Sequence, residues 1–301
     1  MNRIFITGCG GMVGYAAYNY LTQKGYEVLA TDIDLNEDWL KNLDIRDYDN
    51  CLKMISQFKP EIVLHLAALT SLEYCEVHKK EAYDVNYIGT KNIALICKKF
   101  DIPMVHISTA GVFDGEKDKY VEEDLPNPIN VYGKTKLYGE MFVENILEKY
   151  YIIRPGWMFG SGKKDKKFVS YMISQIKEGR KSFKVVNDTF GTPTYTKDLI
   201  KNIEHLFNTK HYGKYHMVCK GETNRYEIAK HILSVINVKD AVIDPVDSDF
   251  FKKDFFVTRA TSERLINKNL DLNGINLMRT WQEAMTEYLM EDWSHLINKE
   301  G

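Results

Sequence analysis

The chain opens on a short apolar, β-branched run, Arg3 to Thr7 (RIFIT), that stops at a glycine-rich turn, GCGGMVG (Gly8–Gly14). No other stretch constrains the fold as strongly. Such a run reads as a strand buried on both faces, and therefore as part of a parallel sheet. Gly8, Gly11 and Gly14 follow a G-x-x-G-x-x-G spacing, one residue away from G-x-G-x-x-G because Val13 stands where that pattern has its last glycine. Glycines at such a turn let the backbone approach a pyrophosphate. Its charge is then met by free N–H groups at the start of a helix expected from about Met12 to Lys24. A glycine-rich turn that binds nothing is the plainer alternative.

The rhythm that follows is strand, helix, strand. Glu27–Thr31 is a second strand, and Asp32 ends it at the distance where a carboxylate grips the adenosine ribose. No Lys or Arg follows at once, and a carboxylate there repels a 2′-phosphate. NAD(H) is therefore favoured, with NADP(H) possible. Asp44 follows a short third strand, where it either reaches the adenine or, like Asp47, caps the next helix near Asp47–Phe58. Glu61–Leu66 is the fourth strand, and Ala67 and Ala68 after it are small enough for a cofactor to lie against the strand end. His65 reads as a satisfied core histidine. A long helix over Tyr83–Phe100 and a fifth strand at Pro103–Ile107 complete the alternation. It implies an α/β fold with a Rossmann-type doubly wound parallel sheet and a ligand at the strands' carboxyl ends.

The chemistry concentrates between Ser108 and Lys136. A strand ending at Ile107 delivers Thr109 into the cleft, and a helix from Val131 puts Tyr132 and Lys136 four residues apart on one face. Tyr-x-x-x-Lys also occurs at Tyr20/Lys24, Tyr87/Lys91 and Tyr226/Lys230, so spacing alone selects nothing. Context selects Tyr132: a hydroxyl, a phenol and an ammonium converge as proton transfer beside a nicotinamide requires. Beyond Tyr150–Arg154 the rhythm loosens. A boundary is expected at 156, with residues 1–156 binding the dinucleotide. Residues 157–301 would form a smaller, interleaved C-terminal α/β substrate lobe. Trp281, Tyr288 and Leu289 are spaced as the buried face of a final helix.

Composition sets limits on partners. The formal charge of −2 over 301 residues lacks the basic surplus that nucleic acid requires. The Lys163–Lys167 cluster reads as a solvated loop or as a positive rim facing a diphosphate. Five cysteines without a Cys-x-x-Cys pair suit a reducing cytosol, with neither a disulfide framework nor a metal site expected. The chain starts directly in a core strand and holds no apolar run of membrane-spanning length, so a cytoplasmic enzyme is expected, with a homodimer as the default assembly.

Several blocks in this order resemble the extended short-chain dehydrogenases/reductases and, within them, the dTDP-4-dehydrorhamnose reductase group. They are GCGGMVG, LHLAALT, STAGVFDG, VYGKTKLYGE, IIRPGWMFG, NDTFGTPTYTKDL and GKYHMVCKGETNRYEIA. The resemblance implies a polysaccharide-biosynthesis oxidoreductase that reduces the C4 ketone of a nucleotide-activated 6-deoxy sugar. Gly8, Gly11, Met12 and Val13 would hold the pyrophosphate, and Asp32 the ribose. Asp44 and Ile45 would flank the adenine, while Leu66, Ala67, Ala68 and Thr70 line the path to the nicotinamide. Thr109 would orient the substrate oxygen, Tyr132 would give it a proton, and Lys136 would bind the ribose and lower the tyrosine's pKa. Trp157 and Phe190 would contact the sugar, Trp157 being otherwise a packing residue. Where the family commonly has Asp-Tyr after the catalytic Thr, this chain has Ala110 and Gly111, and a Trp common near Asn224 is missing. A 4-epimerase would use the same three catalytic residues. A non-catalytic dinucleotide-binding regulatory subunit, like the β subunit of methionine adenosyltransferase, is the alternative from another class.

Overall fold

The computed structural model describes residues 2–294. Its strands, in chain order, are β1 (Arg3–Thr7), β2 (Glu27–Asp32), β3 (Lys41–Asn42), β4 (Ile62–His65), β5 (Met104–Ile107), β6 (Tyr150–Arg154) and β7 (Trp157–Phe159). They continue as β8 (Ser182–Val186), β9 (Phe190–Gly191), β10 (Pro193–Tyr195), β11 (Gly213–His216), β12 (Thr223–Asn224), β13 (Val242–Val246) and β14 (Ser262–Glu263). Seven of them form one sheet in the order β11-β6-β5-β4-β1-β2-β3, with every pair parallel. The order turns back between β1 and β4, and open α/β sheets bind ligands in the crevice at such a switch point. This is the expected doubly wound sheet.

Both faces of the sheet are covered, which is why β1 reads as continuously apolar. Ile4 and Ile6 face a core shared with the helices Met12–Gln23 and Thr196–Thr209. Phe5, one residue out of phase, faces a second core with Ile55, Ile93 and Val143. Two glycines permit the turn after β1. Gly8 has φ +68, and a Cβ on it would lie 2.4 Å from Ala67 N; a Cβ on Gly14 would lie 2.4 Å from Cys9 Cα.

The structure corrects the reading of Tyr83–Phe100 as one helix. A short helix, Lys79–Tyr83, runs into a π-helical turn, Asp84–Gly89, before the regular helix Thr90–Phe100. The wide turn carries the buried Asn86, whose amide accepts from Leu69 N–H at 2.8 Å. The same side chain donates to Leu69 O and to Thr135 Oγ1, each at 3.0 Å. The loop after β4 is thereby tied to the helix Val131–Ile146. Asp47, not Asp44, caps the helix Tyr48–Phe58.

After β6 the chain builds three small sheets apart from the main one: a β8–β13 pair, a β7–β10 pair and a three-stranded sheet, β12-β9-β14. Between them the helix Thr196–Thr209 and β11 return to the main sheet. Trp281, Tyr288 and Leu289 are buried in the final helix as expected. Among the described residues no helix is long and apolar enough to cross a membrane.

Two buried polar groups reveal how the core is held. Arg154, at the end of β6, donates Nε–H to Glu140 Oε1 at 2.9 Å and Nη2–H to Oε2 at 2.6 Å, and neither side chain is more than 1% exposed. Removing one partner of such a pair strands the other charge in a dry interior. His65 accepts at Nδ1 from the Thr7 hydroxyl at 2.7 Å, because its other nitrogen donates to Thr90 Oγ1, whose own hydrogen goes to Asn86 O. It is the satisfied core histidine expected. His106 stacks beside it at 5.5 Å with no hydrogen bond to either ring nitrogen among the described residues.

Glu140→Ala is expected to cost about 3–5 kcal/mol in urea unfolding; a loss below about 1 kcal/mol contradicts the pairing. Burial, with Lys136 close by, lowers His65 to about 3 and His106 well below its ordinary value. In acid the unfolded chain takes up these protons and the folded chain does not, so stability falls as pH drops below the unfolded value. From about pH 7 to pH 5 each such histidine removes roughly 2 kcal/mol. His106→Leu should flatten that dependence by about this amount, and an unchanged slope would contradict it.

Candidate active site

A cleft of ≈ 1850 Å³ is lined by the turn after β1 and by residues of β7, β8 and β14. At its dinucleotide end the helix Met12–Gln23 starts at Gly11 with no side chain capping it. A Cβ on Gly11 would meet only Gly8 O, at 3.6 Å. Free N–H groups with open space in front of them fit a diphosphate. Gly10, which the sequence reading passed over, donates its N–H to Asp32 Oδ2 at 2.8 Å, and Asp34 N–H bonds Oδ1 at 3.0 Å. These two bonds aim the carboxylate at the end of β2. Gly8, Met12, Val13, Asp44, Ile45, Leu66, Ala67, Ala68 and Thr70 line the same cleft.

The lysine cluster does not read as a merely solvated loop. Lys164 folds back over this end, donating to Asn36 Oδ1 at 2.7 Å and pairing with Glu37 at 2.7 Å. Arg46 pairs with Asp44 at 2.6 Å, and this contact holds the Asp44 carboxyl below its ordinary range.

Thr109, Tyr132 and Lys136 line the same cleft. Thr109 ends the extended segment after β5 and accepts Gly111 N–H at 3.0 Å. Its hydroxyl acts on the Tyr132 phenol, lowering its pKa. Asn130 caps the helix Val131–Ile146 through Gly133 N–H at 2.9 Å, which fixes Tyr132 in the first turn and Lys136 one turn on. A Cβ on Gly133 would lie 2.2 Å from Gly111 O, so helix and loop touch through glycine. Burial pushes Tyr132 up to about 12 against the lowering effect of Thr109, and pushes Lys136 down to about 8. Lys136 is not among the groups that set the tyrosine's pKa here. Its Nζ makes no hydrogen bond among the described residues, although the side chain is only 2% exposed. An ammonium brought to a cleft wall without a protein partner fits a ligand hydroxyl.

At the far end, Trp157 lines the cleft and donates Nε1–H to Glu263 at 2.5 Å. Phe190 is not in the wall. Its ring lies under the Arg264 guanidinium at 5.0 Å. Successive strand residues point to opposite faces, so in β9 Gly191 meets Trp157 and Phe190 turns away. Arg225, Glu263 and the 248–261 segment also line the cleft. Sequence reading assigned them no role, although the Asn224 region had stood out as a departure. Among the described residues no group of three or more His, Cys, Asp or Glu is placed to hold a metal.

Extended short-chain dehydrogenases/reductases are the class that this fold and cleft define. Within it the chain belongs to the family described as RmlD substrate binding domain, whose profile matches residues 1–293. It is 32% identical over 292 residues to the spore coat polysaccharide biosynthesis protein SpsK of Bacillus subtilis, covering 97% of this chain and 98% of that protein. A crystal structure of dTDP-4-dehydrorhamnose reductase from Bacillus anthracis in complex with NADP is similar with TM-score 0.89 and 33% identity. It covers 97% of this chain and 100% of that one. The methionine adenosyltransferase 2 subunit beta of Xenopus laevis is 26% identical over 303 residues, 99% of this chain and 89% of that protein.

Proposed function

We propose that the protein is a nicotinamide-dependent reductase of a nucleotide-activated 4-keto-6-deoxy sugar, of the dTDP-4-dehydrorhamnose reductase type. The observation that carries this reading is the convergence of Thr109, Tyr132 and an unpartnered Lys136 in one cleft with the glycine turn. The solved relative named above supports it.

When bound, a reduced nicotinamide supplies the hydride that goes to the keto carbon. The chain supplies the proton and the geometry. Tyr132, protonated at neutral pH because burial favours the neutral phenol, gives its hydroxyl proton to the forming alkoxide. Thr109 bonds the same oxygen and orients it. Lys136 Nζ holds the nicotinamide ribose, so that hydride donor and carbonyl lie within reach. Asp32 takes the adenosine ribose. Arg46 and Lys164, which line the cleft, are paired with carboxylates, which favours NADH over NADPH.

The regulatory reading draws support from the methionine adenosyltransferase subunit, and the intact Thr-Tyr-Lys set weighs against it. The test is oxidation of NADH and of NADPH in the presence of nucleotide-linked 4-keto-6-deoxy sugars. Wild type should turn over at least one sugar, with higher kcat/KM for NADH. Tyr132→Phe should lose about 10²–10⁴-fold in kcat. Tight dinucleotide binding without turnover of any sugar would transfer the case to the regulatory subunit.

A further inference from the structure

The sugar end of the cleft has lost one wall and carries another. Gly111 follows Thr109 in the site. A Cβ there would lie 3.4 Å from Thr109 Oγ1 and 3.8 Å from Tyr132 Cε1, so a side chain at this position would have room and would face the reacting groups. Across the cleft stands the three-stranded sheet β12-β9-β14. Gly191 in its middle strand pairs with Thr223 on one side and Glu263 on the other. A Cβ on Gly191 would come within 2.5–2.8 Å of the Trp157 ring atoms, so the indole lies directly on the glycine backbone and is fixed there. Arg225, the first helical residue after β12, lies over the Trp157 ring at 4.5 Å and the Phe168 ring at 5.3 Å.

Glu263 is held through one of its two carboxylate oxygens. One carboxylate oxygen accepts Trp157 Nε1–H; the other accepts no hydrogen bond among the described residues, and the side chain lines the cleft. The charged and titratable groups around it are Arg225, Arg259 and Tyr132. Arg259 is already paired with Glu73 at 2.7 Å. Arg225 makes no ion pair with Glu263, although its charge acts on it. A carboxylate with one tethered and one bare oxygen, near a proton-donating tyrosine and beside a flat indole, is equipped to bond a sugar hydroxyl.

We propose that Glu263 determines sugar recognition, accepting a hydrogen bond from a hydroxyl of the hexose bound at the Trp157 end of the cleft and replacing the contacts that Ala110 and Gly111 do not make. This rests on the nucleotide-sugar reading given above. Burial raises the Glu263 carboxyl pKa, while Trp157, Arg225 and Arg259 act to lower it. Either protonation form still offers an oxygen to a hydroxyl.

The test is calorimetric binding of dTDP-glucose against dTDP, and of UDP-glucose against UDP, in wild type, Glu263→Ala and Glu263→Gln. A negative charge removed from a cleft that takes a diphosphate leaves bare-nucleotide binding unchanged or tighter. The readout is therefore the ratio between sugar-linked and bare nucleotide. That ratio should fall about tenfold or more in Glu263→Ala, the loss typical of one hydrogen bond to a charged group. In Glu263→Gln, which keeps an acceptor oxygen, it should recover to an intermediate value. A ratio within about twofold of wild type in Glu263→Ala overturns the proposal, as does equal weakening of both ligands. If wild type binds none of the four, the nucleotide-sugar reading fails and this inference fails with it.

Discussion

Arg154 and Glu140 meet where the strand, the helix and the loop of the candidate site come together. Glu140 lies one turn beyond Lys136 on the helix that carries Tyr132, and Arg154 ends β6 two residues before Gly156 and three before Trp157. The guanidinium also lies over Phe113, 5.1 Å from its ring, in the loop that starts at Thr109. A fully desolvated ion pair is an expensive way to gain stability. It gains geometry instead, because a bidentate fork admits few arrangements. Thr109, Tyr132, Lys136 and Trp157 come from separate segments, and this contact registers those segments against one another.

Close backbone approach does the same at the cofactor end. Gly8 against Ala67 and Gly14 against Cys9 bring the turn, the start of the first helix and the end of β4 into one surface. Asp32 is aimed by backbone N–H groups, so its direction comes from the turn and not from its own rotamer alone. The buried pair of histidines beneath Lys136 adds polar but uncharged volume. Those rings leave the ammonium without a counter-charge closer than Glu140, which is the one group raising its pKa against burial.

Much of this was legible in the sequence, for local reasons. Strand–glycine–helix order, Asp32 at a strand end and the Thr109–Tyr132–Lys136 set all follow from short-range periodicity and turn chemistry. What periodicity does not carry is pairing between distant short segments. The two-residue strands β9, β12 and β14 have no pattern of their own, so Arg225 and Glu263 carried no signal as wall residues, and nothing local announced that the Phe190 ring lies under Arg264. The π-helical turn at Asp84–Gly89 was invisible because its cause is tertiary: Asn86 reaches Leu69 and Thr135. Lys164 was ambiguous for a similar reason, since Asn36 and Glu37 lie far away in the chain.

Hydride transfer from a nicotinamide to the C4 ketone of a nucleotide sugar is the reaction proposed for this cleft. The direct measurement is mass spectrometry of the product formed from dinucleotide deuterated at the nicotinamide C4 position and a dTDP-linked 4-keto-6-deoxy hexose. The account predicts one deuterium, bonded to C4 of the sugar and lost in Tyr132→Phe together with turnover. Dinucleotide bound tightly, with no deuterium in any sugar offered, would contradict it.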